Sequence, residues 1–420
     1  MTQQALGESA TNWAGNYTYR ARKLHRPRSI EELQEIVATA RSVHVVGSRH
    51  SFNGIADAEE LISLEALPTH VVVDSGTVTL GGEVTYGALV QPLTDRGLAL
   101  HNLASLPHIS VAGAIATATH GSGSRNGNLA TAVVGLELVT SDGEVLRASR
   151  GDAGFEGMVV GLGALGAVAR ITLEVQPAFD VRQRVFEGLS WTALYENFDD
   201  IMASGYSVSV VTRFESVIDQ VWVKSRIGES AMDDGDLYGA TPATVDRHLI
   251  LGLDPKYCTP QLGRPGPWWD RLPHFRMGFT PSAGEEIQSE YILPRRHAVA
   301  AIESVRALAN RIRPLLLVCE IRTVAADQLW MSMNYRQESV ALHFTWKREQ
   351  DAVEEILVDL EAALFPFDAR PHWGKLFRTD AARLAALYPR HADFIALATR
   401  LDPRGAFRNR WFESQVLGST

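Results

Sequence analysis

The chain has 420 residues, 45% hydrophobic and 21% charged, so it is long enough for the cores of two or three globular domains. A net charge of -9 without a basic run argues against a nucleic-acid partner. The two distant cysteines, Cys258 and Cys319, predict neither a disulfide framework nor a metal site, which favours the reducing cytoplasm. We also expect no secretory signal and no membrane span.

Predicted helices and short strands alternate through the first 175 residues. Residues 29–42 have helical periodicity with Ser29 at the N-cap, and a second predicted helix, 86–97, ends at Gly97. Apolar runs predict strands at 43–46, 70–74 and 77–82, and a hairpin at 133–149 turns at Asp142 and Gly143. This mixture indicates an α+β region.

The segment 161-GLGALG-166 matches the glycine fingerprint of dinucleotide-binding folds. That fingerprint requires a strand before the glycines and a helix after them, so that helix N–H groups meet the pyrophosphate. Here the following residues, 167-AVARITLEV-175, alternate and are β-branched, as in a strand. We therefore interpret the segment as a closely packed glycine turn.

The composition changes near residue 176, where aromatic residues become frequent and a proline-rich loop appears at 259–269. This change predicts a second domain at 176–370. The remaining segment, 371–420, contains a predicted helix at 379–389.

Four stretches carry polar groups or glycines where an apolar strand is expected. They are the loop 47-GSRHSF-52, the glycine-rich run 113-GAIATATHGSG-123, Glu320 and Arg322 within the apolar run 315–325, and His343, Thr345 and Lys375 in 342–347 and 371–377. In the second stretch the glycines interrupt a run that would otherwise be a strand, and they expose backbone N–H groups to an anion or a ring.

Charges within an apolar run are costly unless they are paired or used. Each stretch alone has a structural explanation: a solvated Glu320–Arg322 pair, a core histidine at 343 or a lysine at 375 whose stem packs on apolar surface. Together the stretches predict a polar pocket with both signs of charge, suited to a hydroxylated substrate beside a cofactor.

Ordered motifs along nearly the whole chain resemble those of the vanillyl-alcohol-oxidase-type flavoproteins, and within them the alditol (xylitol) oxidases. They are NWAGNYTY at 12–19, GSRHSFN at 47–53, LASLPHISVAGAIATATHGSG at 103–123, GLGALG at 161–166, EIQSEYILPR at 286–295, EIRTVAAD at 320–327, HFTW at 343–346, RPHWGK at 370–375 and DPRGAFRN at 402–409.

The resemblance implies an α+β fold with a two-lobed, PCMH-type FAD-binding domain and an α+β cap domain. The FAD-binding domain would comprise residues 1–175, the substrate-binding cap 176–370, and the segment 371–420 would return to the first domain.

The resemblance also implies FAD bound covalently, through its 8α-methyl carbon, to His50. Residues expected to line the flavin are Val45, Val46, Gly47, Ser48, Arg49, Ser51, Ser105, Ser110, Gly113, Ala114, Ile115, Ala116, His120, Gly121, Val168 and His372. The family usually has glycine at the position of Arg49, so a left-handed backbone there would cost about 1 kcal/mol or more.

The implied reaction oxidises C1 of an alditol such as xylitol or sorbitol, gives the aldose, and reduces dioxygen to hydrogen peroxide. Arg322 and Lys375 would stabilise the developing alkoxide, and either Lys375 or His343 would be the base. The expected ligands of the remaining hydroxyls are Ser105, Glu320, Arg322, Thr345, Lys375 and Gln288. We expect no metal, nucleic-acid or membrane partner, and a monomer because no long coiled-coil pattern occurs.

Three other hypotheses remain open from the sequence. A sugar-1,4-lactone oxidase or dehydrogenase would share the GS-x-HS and HW-x-K motifs. A flavin-free carbohydrate-binding protein would bind polyols without turnover. A metal hydrolase would use some of the 13 histidines, but neither H-x-H nor H-E-x-x-H spacing occurs.

Overall fold

The computed structural model describes residues 11–229, 236–278 and 285–418. Its strands are β1 Lys23–His25, β2 Val43–Val45, β3 Glu60–Ile62, β4 Val71–Val73, β5 Thr77–Gly81, β6 Leu98–Ala99, β7 Val133–Val139, β8 Val145–Ser149, β9 Ala167–Glu174, β10 Gln176–Pro177, β11 Asp180–Leu189, β12 Ser207–Thr212, β13 Ile218–Arg226, β14 Thr241–Pro242, β15 Gly266–Pro267, β16 Glu286–Pro294, β17 Leu316–Val324, β18 Ser339–Lys347 and β19 Arg370–Pro371.

The α-helices are α1 Ile30–Thr39, α2 Tyr86–Thr94, α3 Val111–Ala116, α4 Phe155–Val159, α5 Trp191–Glu196, α6 Phe198–Ala203, α7 Ala298–Ala307, α8 Ala309–Ile312, α9 Gln350–Leu364, α10 Ala381–Leu387, α11 His391–Leu401 and α12 Arg410–Phe412. Among the described residues, none of these helices is both long and apolar enough to cross a bilayer.

Two sheets organise the first part of the chain. β1, β3 and β2 form a small parallel sheet, and β4, β5, β9, β7 and β8 form an antiparallel sheet in that order. Helix α1 begins at its predicted cap, where the Ser29 hydroxyl accepts a hydrogen bond from the Glu32 N–H. The predicted helices, strands and hairpin of this region are confirmed, with ends shifted by a few residues.

A large antiparallel sheet contains the strands from β11 onward. Its order is β14, β11, β13, β12, β17, β18, β16 and β19, and β15 pairs with β11. β17 and β18 pair along nearly their whole length, so Glu320 lies opposite His343, and β16 places Glu290 opposite the same histidine. The register therefore sets these three side chains in one row across three strands.

The last segment of the chain packs against the first. Phe407 shares a small core with Leu33 and Val37 of α1, and Phe394 and Phe412 belong to the core that contains Leu80 and Ile171 of the antiparallel sheet. This packing supports the division at residues 175 and 370, which stays a prediction.

The segment 161–166 is a turn, as predicted, because α4 precedes it and β9 follows it, the reverse of a dinucleotide fingerprint. Gly163 has φ +73°, and a Cβ there would lie 2.4 Å from the His44 ring. The strand-like interpretation of the run at 113–123 is wrong at its start, because α3 covers Val111–Ala116. Three of the six residues in this short helix are alanine, at 112, 114 and 116, and alanine favours a helix over an extended chain.

Candidate active site

A cavity of about 640 Å³ lies where the loop after β2, helix α3 and the strands β16, β17 and β18 meet. The predicted cofactor residues that line it are Val45, Val46, Gly47, Ser48, Arg49, His50, Ser51, Ser105, Ser110, Gly113, Ala114, Ala116, His120 and His372. The predicted substrate and catalytic residues that line it are Gln288, Glu320, Arg322, His343, Thr345 and Lys375. The fold thus gathers most of the predicted site around one space.

Three of the predicted residues lie beside this lining and not in it. Ile115 is buried in the apolar core. Gly121 packs against the Asn102 side chain, where a Cβ would come within 2.5 Å of Oδ1. Val168 pairs with Leu138 within the antiparallel sheet. Their predicted flavin contacts stay predictions.

The loop after β2 packs tightly against the start of α3. A Cβ on Gly47 would lie 2.3 Å from the Ser110 hydroxyl, and the Ser110 N–H donates to the Ser48 hydroxyl over 3.0 Å. Arg49 has φ +58°, the left-handed conformation that favours glycine, and its carbonyl accepts from the Trp13 N–H over 2.8 Å. This residue therefore carries the backbone strain foreseen from the sequence, about 1 kcal/mol.

His50 is held between two rings. The Trp13 indole stacks on it with centroids 4.9 Å apart, and the His108 ring lies 4.7 Å away. Burial, with a smaller contribution from His108, lowers the pKa of His50 to about 3. The imidazole is therefore neutral at physiological pH, with a nitrogen lone pair available for bonding.

The residues on this side of the cavity fit FAD. Gly47 and Gly113 line the cavity with backbone and no side chain, which lets a flat ring or an anionic diphosphate approach closely. A Cβ on either would also lie within 3 Å of the Ser110 hydroxyl. The guanidinium of Arg49 supplies positive charge in the same loop. A neutral histidine, small residues and a cavity of this volume together suit a large heteroaromatic cofactor.

Glu290, which the sequence analysis did not select, lies at the centre of the charged side of the cavity. Its Oε1 is 2.6 Å from Arg322 Nη2 and 3.1 Å from His120 Nε2, and its Oε2 is 2.9 Å from Lys375 Nζ. Burial opposes its ionisation, but Lys375, His120 and Arg322 outweigh burial and hold the pKa of Glu290 well below its usual range. Glu290 is therefore a buried carboxylate among cations.

Arg322 bridges two carboxylates. Its Nε lies 3.0 Å from Oε1 of Glu320, and Oε2 of Glu320 lies 3.2 Å from Nε2 of His274. Burial opposes the charge on Arg322, yet Glu320 and Glu290 raise the pKa of its guanidinium above the ordinary value. Both Arg322 Nε and Glu320 Oε1 are buried without a well-aligned hydrogen-bond partner among the described residues, so each can bind a substrate hydroxyl.

Lys375 and His343 are both buried at the cavity wall. Burial lowers the pKa of Lys375, and Glu290 partly opposes that shift. Burial and the charge of Lys375 hold the pKa of His343 well below its usual range. The Gln288 amide donates to Glu286, so its oxygen accepts from His343 Nε2 over 3.1 Å. His343 is therefore neutral, with Nδ1 as the unprotonated nitrogen.

The segment that carries Lys375 is tied to both halves of the site. Its backbone pairs with β16, since the His372 N–H donates to the Glu290 carbonyl and the Leu376 N–H donates to the Gln288 carbonyl, each over 2.9 Å. The Asn53 amide, two residues after Ser51, donates to the carbonyls of both Trp373 and Lys375. The loop of His50 and the segment of Lys375 therefore share one hydrogen-bonded framework.

The sequence contained a signal for one of the residues that were missed. Glu286, Gln288 and Glu290 are spaced two residues apart in 286-EIQSE-290, which places them on one face of a strand, the same two-residue period that singled out Glu320 and Arg322. Trp13, His108 and His274 gave no such signal, because only the tertiary fold brings them to His50 and Glu320.

Comparison with known protein families identifies two regions of the chain. Residues 21–149 match the family described as FAD binding domain, and residues 283–415 match the family described as D-arabinono-1,4-lactone oxidase. The chain is 47% identical to an alditol oxidase of a Streptomyces species, over 98% of this chain and 100% of that protein. It is 30% identical to L-gulono-1,4-lactone dehydrogenase of Mycobacterium tuberculosis, over 97% of this chain and 99% of that protein.

The fold is also that of a solved oxidase. Cholesterol oxidase from Brevibacterium sterolicum superposes with a TM-score of 0.80 at 15% identity, over 99% of this chain and 97% of that one. The shared architecture, the family matches and the full-length identity together show that this chain belongs to the alditol oxidase family of FAD-dependent, vanillyl-alcohol-oxidase-type flavoproteins.

Proposed function

We propose that this protein oxidises the C1 primary hydroxyl of alditols, such as xylitol and sorbitol, to the aldose and reduces dioxygen to hydrogen peroxide. One observation carries this proposal. A single cavity contains both the cofactor side, formed by the loop after β2 and the start of α3, and the buried ion network of Arg322, Glu290 and Lys375. The substrate class is supported by the 47% identity to an alditol oxidase, because the lactone-acting relatives that align with nearly the whole chain are more distant, at 30% or less.

FAD would be held by the loop Val45–Ser51, by the start of α3 and by His50. When bound, it supplies the acceptor for the hydride from C1 and the means of passing the two electrons to dioxygen. The protein's task is then to bind the alditol, orient C1 and remove the hydroxyl proton. His50 does not compete for that proton, since its pKa of about 3 makes its imidazole a weak proton acceptor.

Arg322 and Lys375 stabilise the oxygen of C1 as it loses its proton. Both are buried at the cavity wall, where positive charge acts more strongly than it does in water: Arg322 carries its charge throughout, and Lys375 gains a charge as it takes up the hydroxyl proton. Because Glu290 already holds both side chains in place, neither has to reorganise when the charge develops. Electrostatic stabilisation of this kind is typically worth a hundredfold or more in rate.

Lys375 and His343 are the two candidate bases. Burial lowers the pKa of Lys375, which favours its unprotonated form, and Nδ1 of His343 is unprotonated. We favour Lys375, because the strongly lowered pKa of His343 makes its imidazole a weak proton acceptor. His343 would then accept a hydrogen bond from a substrate hydroxyl.

The other hydroxyls of the alditol would be bound by Glu320, Ser105, Thr345 and Gln288. Each hydroxyl that leaves water needs a partner, and these polar side chains line the same cavity. Glu320 is ionised, because Arg322 and His274 outweigh the effect of burial and lower its pKa. A carboxylate can only accept hydrogen bonds, so it selects a hydroxyl over a carbonyl oxygen.

The substrate assignment is tested with the purified flavoprotein under air. Xylitol, sorbitol and L-gulono-1,4-lactone are supplied in parallel, and hydrogen peroxide is measured with a peroxidase-coupled dye. We expect faster peroxide formation with either alditol than with the lactone. Turnover with the lactone alone would establish a lactone oxidase, and reduction of an artificial acceptor without peroxide would establish a dehydrogenase.

We further propose that FAD is attached covalently to His50 through the 8α-methyl carbon. The neutral imidazole of His50 supports this, because its unprotonated nitrogen can form the bond in place of a hydrogen of the methyl group. The proton of that C–H bond would be released, and its two electrons would pass through the flavin to dioxygen. Acid-precipitated protein should remain yellow after washing, and His50→Ala should give a colourless pellet with yellow supernatant. A wild-type pellet that loses its flavin to the supernatant would show that the cofactor is not covalently bound.

The proposal extends to location and assembly. We propose a cytoplasmic monomer, supported by two cysteines that are both buried and free. Static light scattering of the purified protein should give the mass of one chain, 46.1 kDa. Twice that mass would contradict the monomer.

A further inference from the structure

We propose that Glu290 is a positioning residue for the oxidation. Its carboxylate holds the side chains of Arg322 and Lys375 at the cavity wall and places a negative charge beside the Lys375 amine. This inference deepens the proposed alditol oxidation and rests on it. It concerns a residue that would touch the two cations of the site and not the alditol.

The geometry of the carboxylate carries the proposal. Each oxygen of Glu290 serves a different cation: Oε1 faces Arg322 at 2.6 Å, and Oε2 faces Lys375 at 2.9 Å. One rigid group thereby sets the distance between the two positive charges. A group with a single acceptor could fix only one of them.

The backbone of the same residue positions the same lysine. The Glu290 carbonyl accepts from the His372 N–H, and the His372 carbonyl in turn accepts from the Lys375 N–H. Lys375 is therefore held from β16 at both its main chain and its ammonium group. Position 290 can act this way because β16 lies next to β19 in the sheet.

The order of side chains across β16, β18 and β17 explains how two buried carboxylates can lie close together. Glu290 and Glu320 lie on either side of His343, which is opposite both of them in register. A neutral ring thus separates the two negative charges, and Arg322 bridges them. Removing one carboxylate would leave an excess of buried positive charge, which is strongly unfavourable.

Protonation of Lys375 depends on all the charged or titratable groups that face it. Burial lowers its pKa first, Arg322 lowers it further, and Glu290 and Glu320 raise it. The groups around it, by element, are Glu286 and Glu290 on β16, Glu320 and Arg322 on β17, His343 on β18, His120 after α3 and His372 on its own segment. Glu290 is the only one of the described groups within salt-bridge distance of the Lys375 ammonium.

The test compares Glu290→Gln, which keeps the shape and removes the charge, with Glu290→Asp, which keeps the charge and shortens the side chain. Glu361→Gln is the matched control, because Glu361 is also hydrogen-bonded to β16, through the Tyr291 hydroxyl, but outside the cavity. Two properties are measured on the holoenzymes: the pH profile of kcat/KM for xylitol, and the pH dependence of acetic anhydride labelling of Lys375, followed by mass spectrometry.

In Glu290→Gln we expect kcat/KM to fall about 100-fold or more, and half-maximal labelling of Lys375 to move to lower pH, because a buried cation loses its partner. In Glu290→Asp we expect wild-type labelling with a lowered kcat, because the charge remains and the position does not. Glu361→Gln should match the wild type in both properties. Three other lysines, Lys23, Lys256 and Lys347, which are exposed or half-exposed, serve as internal references for labelling.

Wild-type labelling of Lys375 and wild-type kcat/KM in Glu290→Gln would overturn the proposal. If that variant does not fold, Glu290→Asp decides: a lowered kcat supports the positioning role, and wild-type kinetics overturn it. The labelling needs no turnover. A wild-type protein that oxidises no alditol would therefore refute the proposed function, while the labelling of the Glu290 variants would still decide whether this carboxylate controls Lys375.

Discussion

Lys375 should be required for oxidation of the alditol but not for binding of FAD. Replacing it with methionine keeps the length of the side chain and removes the positive charge beside C1. We expect Lys375→Met to retain its flavin absorbance and to be reduced by xylitol at least ~10²-fold more slowly in anaerobic stopped-flow experiments. Lys23→Met, on β1 and outside the cavity lining, is the control. An unchanged reduction rate would exclude Lys375 from the chemistry.

Single residues of the site were predictable where a polar group interrupts an apolar pattern. Arg322 and Glu320 stand out in 315–325 for this reason, and both line the cavity. Glu290 has the same kind of pattern and was still missed, because its significance depends on which strands lie beside β16. The contact between His274 and Glu320 joins residues 46 positions apart through a loop, and no local pattern encodes it.

At the scale of elements, the contact between the loop after β2 and helix α3 should determine flavin occupancy. In Gly47→Ala the new Cβ would lie 2.3 Å from the Ser110 hydroxyl and 3.0 Å from its Cβ, so the loop or the helix must move. We expect a lower ratio of flavin to protein absorbance. The double variant Gly47→Ala/Ser110→Gly removes both clashing atoms and should recover much of the occupancy.

Gly76→Ala provides the control for this prediction, because no atom lies within 4 Å of its added Cβ. Full occupancy in Gly47→Ala would mean that the loop adapts without cost. Failure of the double variant to recover would mean that glycine is needed there for its backbone and not for its closeness to α3.

Elements with local signals were predicted well and those that depend on context were not. The Ser29 cap and the turn at Gly143 are encoded within a few residues, and both occur as predicted. The run 113–123 contains glycines, and alanines compatible with a helix as well as a strand, so its conformation depends on the loop packed against Ser110. Strand periodicity alone could not choose between them.

At the scale of the whole molecule, the α+β class and the FAD-binding architecture followed from the ordered motifs. The order of the large sheet did not, because β12 pairs with β17, more than 100 residues later in the chain. Such a pairing depends on which buried faces fit one another, and a single sequence does not display that. Yet this pairing decides the site, since it sets Arg322 beside Ser209 and fixes the position of β17.

Stability of the whole fold should depend on the protonation of one buried lysine of this sheet. Lys224 on β13 is almost fully buried, and its ammonium group is held by the carbonyls of Leu272 and Pro273. Burial lowers its pKa to about 7, against an ordinary value of 10.5. Between these two values the unfolded chain keeps a proton that the folded protein has lost, so folding becomes more favourable as the pH rises.

We therefore expect the unfolding free energy to increase from pH 7 to pH 8.5, with Lys224 contributing up to about 1.4 kcal/mol per pH unit. The melting temperature should rise over the same pH range. Below pH 7 this contribution is constant, because the lysine is charged in both states. Above pH 8.5 the buried thiol of Cys258, whose pKa burial raises to about 12, begins to act in the opposite direction. Calorimetry at a fixed protein concentration measures the slope. Lys224→Met should flatten it and Lys23→Met should not, whereas an equal slope in Lys224→Met would assign the effect to another group.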